Sequence, residues 1–381
     1  MKSIVVLGST GSIGRSALEV ARALDGVRVV GLSAFSNWEV LAEQVRTCEP
    51  KWVAIADEEA GRRLAARFPV RRFELFTGPE AILTLVREVQ ADTVLSAVVG
   101  GVGLRPALET LRRGIPLALA NKEALVMAGE LLMAEAEKKC VPVIPVDSEH
   151  SAIFQILKSS RAGEIRRLII TASGGPFLRR SRKDLERVTP EEALQHPCWR
   201  MGTKVTVDSA TFMNKAFEVI EAHHLFGLPL EKIEVVIHPE AVVHSLVEFC
   251  DGSVLAQLSH PDMRIPIQYA LTYPERLPAE RKTLDLAALG TLRFQKVDEK
   301  QFPALGLGYE AVRKGGTYGA AFAACDEEAV RLFLEGKVRF LDIYRICLEV
   351  LEDFLPKKAP TLEDIVEADS WARQRVRSQV P

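Results

Sequence analysis

The sequence predicts an α/β protein: an N-terminal Rossmann-like dinucleotide-binding domain, an α+β catalytic domain with a mixed sheet, and a C-terminal helical domain. Three observations carry this. Residues 1–150 alternate short apolar runs with helical patterns, the signature of a parallel sheet covered on both faces. Past residue 150 the apolar runs follow one another through short connections, with an Asp-Gly turn between two of them. Beyond residue 300 only helical periodicity remains.

Ile4–Leu7 is long enough for a buried strand and too short for a helix. Gly8, Gly11 and Gly14 punctuate a turn, and Ser12–Ala23 reads as a helix with Ile13, Ala17, Val20 and Ala21 on one side. In a strand, glycine turn and helix, backbone N–H groups and a helix N-terminus can hold a pyrophosphate. The spacing is G-x-x-G-x-x-G, with Thr10 where G-x-G-x-x-G would have glycine. A tight turn with no ligand is the bland reading; the N-terminal context favours a dinucleotide. The second strand, 27–34, ends in Phe35, Ser36 and Asn37. No acid stands there to bind a ribose 2′-OH, which favours NADP. No Arg or Lys stands at that turn either, so Ser36 and Asn37 would serve as donors.

Further strands are expected at 52–56, 73–76, 93–97, 117–119 and 141–146, with helices at 38–47 and 79–90 between some of them. Active-site loops should lie at the carboxyl ends of such strands. Two ends stand out: Ala118–Ala120 runs into Asn121-Lys122-Glu123, and Val143–Val146 runs into Asp147-Ser148-Glu149-His150. In the second domain strands are expected at 166–172, 233–237, 242–249 and 253–259, the last two joined at Cys250-Asp251-Gly252. The boundaries read 1–150 for the dinucleotide domain and 151–273 for the α+β catalytic domain, with a lid near 173–202. A polar, Pro-marked linker at 274–300 and a helical domain at 301–381 complete the division. There, Asp326 is expected to cap a helix ending at Gly336, and Thr361 with Asp364 resembles a capping box.

A chain of 381 residues exceeds one ordinary core. Its net charge of −2 offers no field for nucleic acid or an anionic membrane. Six scattered cysteines without C-x-x-C suggest reduced thiols in the cytoplasm. The apolar start runs directly into the glycine turn, unlike a signal peptide. No apolar stretch approaches the roughly 20 residues of a membrane span.

The candidate chemistry lies in carboxylates. Asp147 and Glu149, at i and i+2 in extended backbone, would point the same way and suit a hard cation; solvated loop acids are the alternative. Asp208–Glu221 reads as one helix with a polar cap, with Asn214, Glu218 and Glu221 sharing a face and Lys215 beside it. Glu218 would complete the cation shell while Asn214 and Lys215 bind phosphate oxygens; read alone, the segment is an amphipathic helix with a surface ion pair. Thr171–Pro176 offers Ser173 and glycine-rich backbone as an oxyanion or phosphate cradle. His196 and Trp199 sit in a Pro- and Gly-framed segment suited to a closing lid. His150 adjoins the acids, and the other five histidines are given no role.

These segments resemble one family: GSTGSIG at 8–14, ANKEALV at 120–126, PVDSEHSAIFQ at 145–155, TASGGPF at 171–177, HPCWRMGTKVTVDSATFMNKAFEVIEA at 196–222, IHPEAVVHS at 237–245 and DGSVLAQLSHPDMRIPI at 251–267. They look like 1-deoxy-D-xylulose 5-phosphate reductoisomerase, in order along the whole chain. The resemblance implies a cytoplasmic homodimer of the non-mevalonate isoprenoid pathway, using NADPH and Mg²⁺, Mn²⁺ or Co²⁺. It would convert a small phosphorylated sugar, 1-deoxy-D-xylulose 5-phosphate, into 2-C-methyl-D-erythritol 4-phosphate by retro-aldol and re-aldol steps followed by hydride transfer. By resemblance, Asp147, Glu149 and Glu218 hold the metal, and Lys122, Glu149 and His196 are catalytic. Lys122, Ser148, Ser173, His196, Trp199, Ser209, Asn214, Lys215 and Glu218 line the substrate. Thr10, Gly11, Ser12, Ile13, Ser36, Asn37, Asn121, Glu123 and Gly202 contact NADPH. The chain departs from the family after the second strand, where many members carry Gly-Lys-Asn or a similar basic turn. Two rivals stand beside this reading. One is a simple NADP-dependent dehydrogenase of semialdehydes or homoserine, whose thioester-forming semialdehyde type would need a nucleophilic Cys beside a His, for which Cys198 is the candidate. An NADP-binding redox sensor would need neither the acids nor the phosphate grip.

Overall fold

Seven parallel strands form the first sheet: β1 (Lys2–Leu7), β2 (Val27–Ala34), β3 (Trp52–Ile55), β4 (Glu74–Thr77), β5 (Thr93–Ser96), β6 (Leu117–Leu119) and β7 (Val143–Pro145). Their order is β4-β3-β2-β1-β5-β6-β7, so the winding reverses between β1 and β5, where doubly wound sheets bind ligands. Ile4 to Leu7 have no solvent exposure, as a central parallel strand covered on both faces requires. Each of the seven predicted strands is present, within two residues of its expected ends.

The second sheet holds β8 (Ile165–Ala172), β9 (Ile233–Ile237), β10 (Val243–Phe249), β11 (Val254–Leu258) and β12 (Gln295–Lys296), in the order β11-β10-β8-β9-β12. Only β8 and β9 run parallel, so the sheet is mixed, as expected. The β10–β11 hairpin turns at Asp251-Gly252: Gly252 takes a φ of +85° and the Asp251 carboxylate accepts from the Ser253 N–H at 2.9 Å. The short strand β12 lies within the stretch read from sequence as a linker.

The structure, a computed structural model, describes residues 1–199, 201–278 and 281–379, so Arg200 of the expected lid and Ala279 and Glu280 of the expected linker lie outside the described residues. The chain divides into two units. One comprises Met1–Asn121, Glu130–Ser151 and Asp262–Arg281; the other comprises Lys122–Gly129, Ala152–Pro261 and the residues from Lys282 onward. The first unit has a core built around Val5, Leu7, Val30, Ala54, Leu85 and Val94. In the second, Phe212 and Phe302 stack at 3.9 Å within a core that includes Leu168, Ile170, Val219 and Val235. Among the described residues no helix is long and apolar enough to cross a membrane.

Three local readings are corrected. Asp326 does not cap a helix; it lies inside the helix Tyr318–Leu334, fully buried. The stretch 208–221 is two helices, Thr203–Thr211 and Met213–Phe226, broken at Phe212, whose φ is +67°. Asp147 and Glu149 do not share an extended strand, because the helix Ser148–Leu157 starts between them. In each case a buried partner or a neighbouring element overrides the local pattern. The Thr361–Asp364 capping box is present as expected.

The three glycines of the first turn differ in duty. A Cβ on Gly8 would lie 2.6 Å from the Ala97 carbonyl oxygen, and one on Gly14 2.3 Å from that of Gly8, whereas Gly11 meets nothing closer than 3.4 Å. Gly8 and Gly14 therefore serve packing, and Gly11 keeps an open approach. Gly14→Ala should cost about 1–3 kcal/mol by overpacking and bring thermal unfolding to lower temperature. Gly11→Ala, at an ordinary φ of −74°, should change stability by less than about 0.5 kcal/mol. Equal melting behaviour of the two variants would refute this division.

Candidate active site

In the first unit the helix Ser12–Ala23 begins at Gly11 with no side-chain cap. Its first N–H groups are thus left to the turn that carries Thr10, Gly11, Ser12 and Ile13, with open space over Gly11. This cradle fits a pyrophosphate. The turn is clamped from behind: the Gly8 N–H donates to Ser33 Oγ at 3.0 Å, and Ser9 and buried Gln44 exchange two hydrogen bonds, Ser9 Oγ to Gln44 Oε1 at 2.6 Å and Gln44 Nε2 to the Ser9 carbonyl at 2.8 Å. Ser36 and Asn37 follow the end of β2, and Asn37 Oδ1 accepts from the Val40 N–H at 3.2 Å, capping the next helix. Asn121, buried after β6, donates to the carbonyls of Val98 and Gly100 at 2.8 and 3.0 Å and so fixes the loop after β5. At the start of the helix Ser148–Leu157, Ser148 Oγ donates to Glu149 Oε2 at 2.5 Å, and buried His150 places Nδ1 3.5 Å from Asp147 Oδ2. The sequence marked His150 only by its adjacency to the acids.

In the second unit β8 delivers Ser173, Gly174 and Gly175, the glycines at φ of +89° and +64°. A Cβ on Gly175 would stand 2.8 Å from the Ser209 carbonyl oxygen, so the loop closes against the helix Thr203–Thr211 only because no side chain intervenes. Ser173, Gly174, Gly175, Ser209, Asn214 and Lys215 line one small pocket. Phe212 stacks on Phe302, and the break it makes sets Ser209 on one helix and Asn214 and Lys215 on the next.

The Lys215 ammonium donates to the Thr171 carbonyl at 2.7 Å and to Glu218 Oε2 at 2.5 Å. Asn214 Nδ2 donates to Glu218 Oε1 at 2.5 Å, while Lys122 donates to Asn214 Oδ1 at 2.6 Å and lies 3.5 Å from Glu218 Oε1. Glu218 is fully buried, and Lys122 and Lys215 nearly so. The reading of Lys215 and Glu218 as a surface ion pair is therefore wrong: two ammonium groups and an amide surround one carboxylate away from water.

His196 Nδ1 accepts from the N–H groups of Cys198 and Trp199 at 3.1 and 2.9 Å. Its proton must then sit on Nε2, 3.1 Å from Ser173 Oγ. Ser173 Oγ also accepts from the Gly175 N–H at 3.3 Å, which leaves its own proton free to donate into the pocket. Burial, then the Lys215 charge, lowers the His196 pKa to about 4. Burial, then the charge of Glu240, raises that of Cys198. A raised pKa is the reverse of what a thioester-forming nucleophile needs.

Lys204 escaped the sequence reading. Its ammonium lies 2.7 Å from Asp208 Oδ2, 2.7 Å from Asp326 Oδ2 and 3.5 Å from Glu123 Oε1, and 4.5 Å from the centre of the Phe217 ring. Burial opposes its charge, but the three carboxylates outweigh it and hold its pKa well above the ordinary lysine value. Glu123, expected at the cofactor, is held by this residue, and Gly202 is the N-cap of Lys204's own helix. The i, i+4 spacing of Lys204 and Asp208 was visible in the sequence; their partner Asp326 was not.

A glycine turn at the switch point of a parallel sheet, with a second unit carrying a small polar pocket beside a buried cation–carboxylate cluster, defines a dinucleotide-dependent α/β oxidoreductase. The models of the 1-deoxy-D-xylulose 5-phosphate reductoisomerase family match residues 4–129, and those of its C-terminal domains match 143–226 and 258–375. The reductoisomerase of Caldanaerobacter subterraneus subsp. tengcongensis is 50% identical over 378 residues, covering 99% of this chain and 98% of that one. That of Thermodesulfovibrio yellowstonii is 45% identical over the full length of both. Among solved structures, the Zymomonas mobilis enzyme in complex with NADPH superposes with a TM-score of 0.92 at 40% identity, covering 99% of this chain and 98% of that one. A DOX-P reductoisomerase in complex with NADPH, fosmidomycin and magnesium gives 0.93 at 36% identity, covering 100% and 98%. The chain belongs to the 1-deoxy-D-xylulose 5-phosphate reductoisomerase family.

The His196 geometry predicts a pH response. Its folded-state pKa of about 4 lies below the ordinary 6.5, so the unfolded chain takes the proton first. Its contribution to stability should be complete above pH 6.5 and be lost as pH falls towards 4. Nitrogen NMR should find His196 neutral with the proton on Nε2 from about pH 5 to 8. A midpoint near 6.5 would contradict the hydrogen-bond assignment.

Proposed function

We propose that this chain converts 1-deoxy-D-xylulose 5-phosphate into 2-C-methyl-D-erythritol 4-phosphate, with NADPH and a divalent cation, in non-mevalonate isoprenoid synthesis. The observation that carries this reading is the second-unit cluster of Lys122, Asn214, Lys215 and Glu218 beside the Ser173–Gly175 loop. A phosphorylated, oxygen-rich substrate needs such a combination of phosphate donors, ammonium groups and a carboxylate.

Asp147, Glu149 and Glu218 are the proposed cation ligands. A set made of carboxylate oxygens suits Mg²⁺, Mn²⁺ or Co²⁺. The cation would polarise the substrate's carbonyl and adjacent hydroxyl oxygens, and NADPH would supply the hydride. The protein's own groups do the positioning. Ser173, with its proton free, Ser209, Asn214 and Lys215 would grip the phosphate, and remote grip supplies binding energy that can be used at the reacting carbons. Lys122 would stabilise negative charge on the substrate oxygens, and Ser148 and Glu149 would complete that end. Neutral His196 would donate rather than carry charge. Trp199, in the same segment, would exclude water from the cleaved intermediate. Thr10–Ile13, Ser36, Asn37, Asn121, Glu123 and Gly202 are the proposed dinucleotide contacts.

We also read the protein as a cytoplasmic homodimer. The six free cysteines suit a reducing compartment. Edge strand β11 leaves Val254 47% and Leu255 48% exposed, and an apolar edge of this kind calls for a cover. Sedimentation should give twice the chain mass of 42.1 kDa, and Leu255→Asp should shift it towards one chain; a monomeric parent protein would end this reading.

The decisive assay follows NADPH oxidation with 1-deoxy-D-xylulose 5-phosphate, with and without Mg²⁺ or Mn²⁺. Metal-dependent oxidation to a branched polyol phosphate is expected, and none from a folded, NADPH-binding protein would refute the proposal. Glu218→Gln should lower turnover by at least about 100-fold while leaving the NADPH dissociation constant unchanged. Near-normal turnover at saturating metal would remove Glu218 from the ligand set.

A further inference from the structure

The end of β2 poses a specificity problem. Residues Phe35-Ser36-Asn37 carry no charge, and Asn37 Oδ1 is committed to its helix cap. A 2′-phosphomonoester carries close to two negative charges near neutral pH, and neutral hydroxyl and amide donors compensate those poorly.

A cation is supplied from a different element. Arg15, in the first turns of the helix Ser12–Ala23, donates from Nε to the Thr10 carbonyl at 2.9 Å. Helical side chains lean towards their own N-terminus, so this bond holds the guanidinium over the glycine turn rather than along the helix. Arg15 is exposed, and among the described residues no carboxylate pairs with it. One N–H of the fork is used, and the two terminal amino groups remain for a ligand.

The fold brings that turn to the end of β2. The two strands pair in parallel with Val6 level with Leu32, so they end side by side. The Gly8 and Ser9 N–H groups both bond Ser33, at 3.0 Å to Oγ and 2.8 Å to the carbonyl. Thr10, with Arg15 held on it, is one residue past this clamp, and Ser36 is three residues past Ser33. Phe35, 72% exposed at the same strand end, presents a flat apolar group beside them.

We propose that Arg15 reads the 2′-phosphate of NADPH in this chain, replacing from the first helix the basic residue absent after β2. The proposal rests on the NADPH reading above and adds the residue that decides between NADPH and NADH. A planar guanidinium can give two parallel hydrogen bonds to phosphate oxygens, with Ser36 Oγ as a neutral partner.

The test is equilibrium binding of NADPH and NADH, by nucleotide fluorescence, to the intact parent protein and to Arg15→Ser, Arg15→Lys and Ser36→Ala. Adenosine 2′,5′-bisphosphate serves as a competitor. Arg15→Ser should weaken NADPH and the bisphosphate by about 10- to 100-fold, the worth of a charge-assisted hydrogen bond. NADH should stay within about twofold. Arg15→Lys should recover part of the loss, and Ser36→Ala should lose less than Arg15→Ser. Unchanged NADPH affinity in Arg15→Ser would overturn the proposal. So would equal weakening of both dinucleotides, which would assign Arg15 to the pyrophosphate or to the turn. A folded parent protein that binds neither dinucleotide would overturn the cofactor reading itself and this proposal with it.

Discussion

One ammonium holds the second unit's site in place. Lys204 joins the start of the helix carrying Lys122 and Glu123, the helix Thr203–Thr211 and the helix Tyr318–Leu334 through contacts to Glu123, Asp208 and Asp326. Away from water, three carboxylates around one cation are acceptable only with close geometry and a shared proton. Burial and the charge of Asp326 push the Asp208 pKa well up, against the pull of Lys204, and burial raises that of Asp326 as well. Ser209 adjoins Asp208, and Gly202 lies two residues before Lys204. Ser209, proposed for the phosphate, and Glu123 and Gly202, proposed for the cofactor, therefore lie on or beside elements that share one anchor, which apolar packing would not orient.

The charge arrangement of the site has the same logic. Lys122 and Lys215 flank Glu218, so the buried carboxylate is shared between two ammonium groups. His196 adds no third positive charge, because burial and then the Lys215 charge disfavour its protonation and two backbone N–H groups occupy Nδ1. Its neutral ring orients Ser173, and that hydroxyl is then a donor. A site for a phosphorylated substrate that must also hold a cation needs graded positive charge, since an excess would repel the metal.

The first unit divides its work between packing and contact. Gly8 and Gly14 allow strand, turn and helix to approach closely, and only Gly11 opens to solvent. Gln44 and Ser33 brace the turn from beneath with hydrogen bonds that no glycine motif includes. A backbone cradle of uncapped N–H groups gains its strength from such rigidity, because donors already in place need no reordering when an anion arrives.

Much of this protein was determined by its sequence alone. Apolar runs at strand length gave the seven parallel strands and the mixed sheet, because burial on both faces leaves a continuous apolar signal. Long motifs around Asp147, Ser173, His196 and Asn214 pointed to the family and the chemistry. What the sequence could not contain was long-range pairing. Asp326 looked like a helix cap because Lys204, 122 residues away, is silent in a local window. The break at Phe212 was hidden because its left-handed backbone is secured by stacking on Phe302. Lys215 and Glu218 looked like surface neighbours because spacing reports a helix face and not what covers it. Arg15 drew no attention in the sequence because its relation to β2 exists only through strand pairing. Local periodicity fixes which elements form; the burial and charge of a side chain depend on elements distant in the chain, and only tertiary structure decides those.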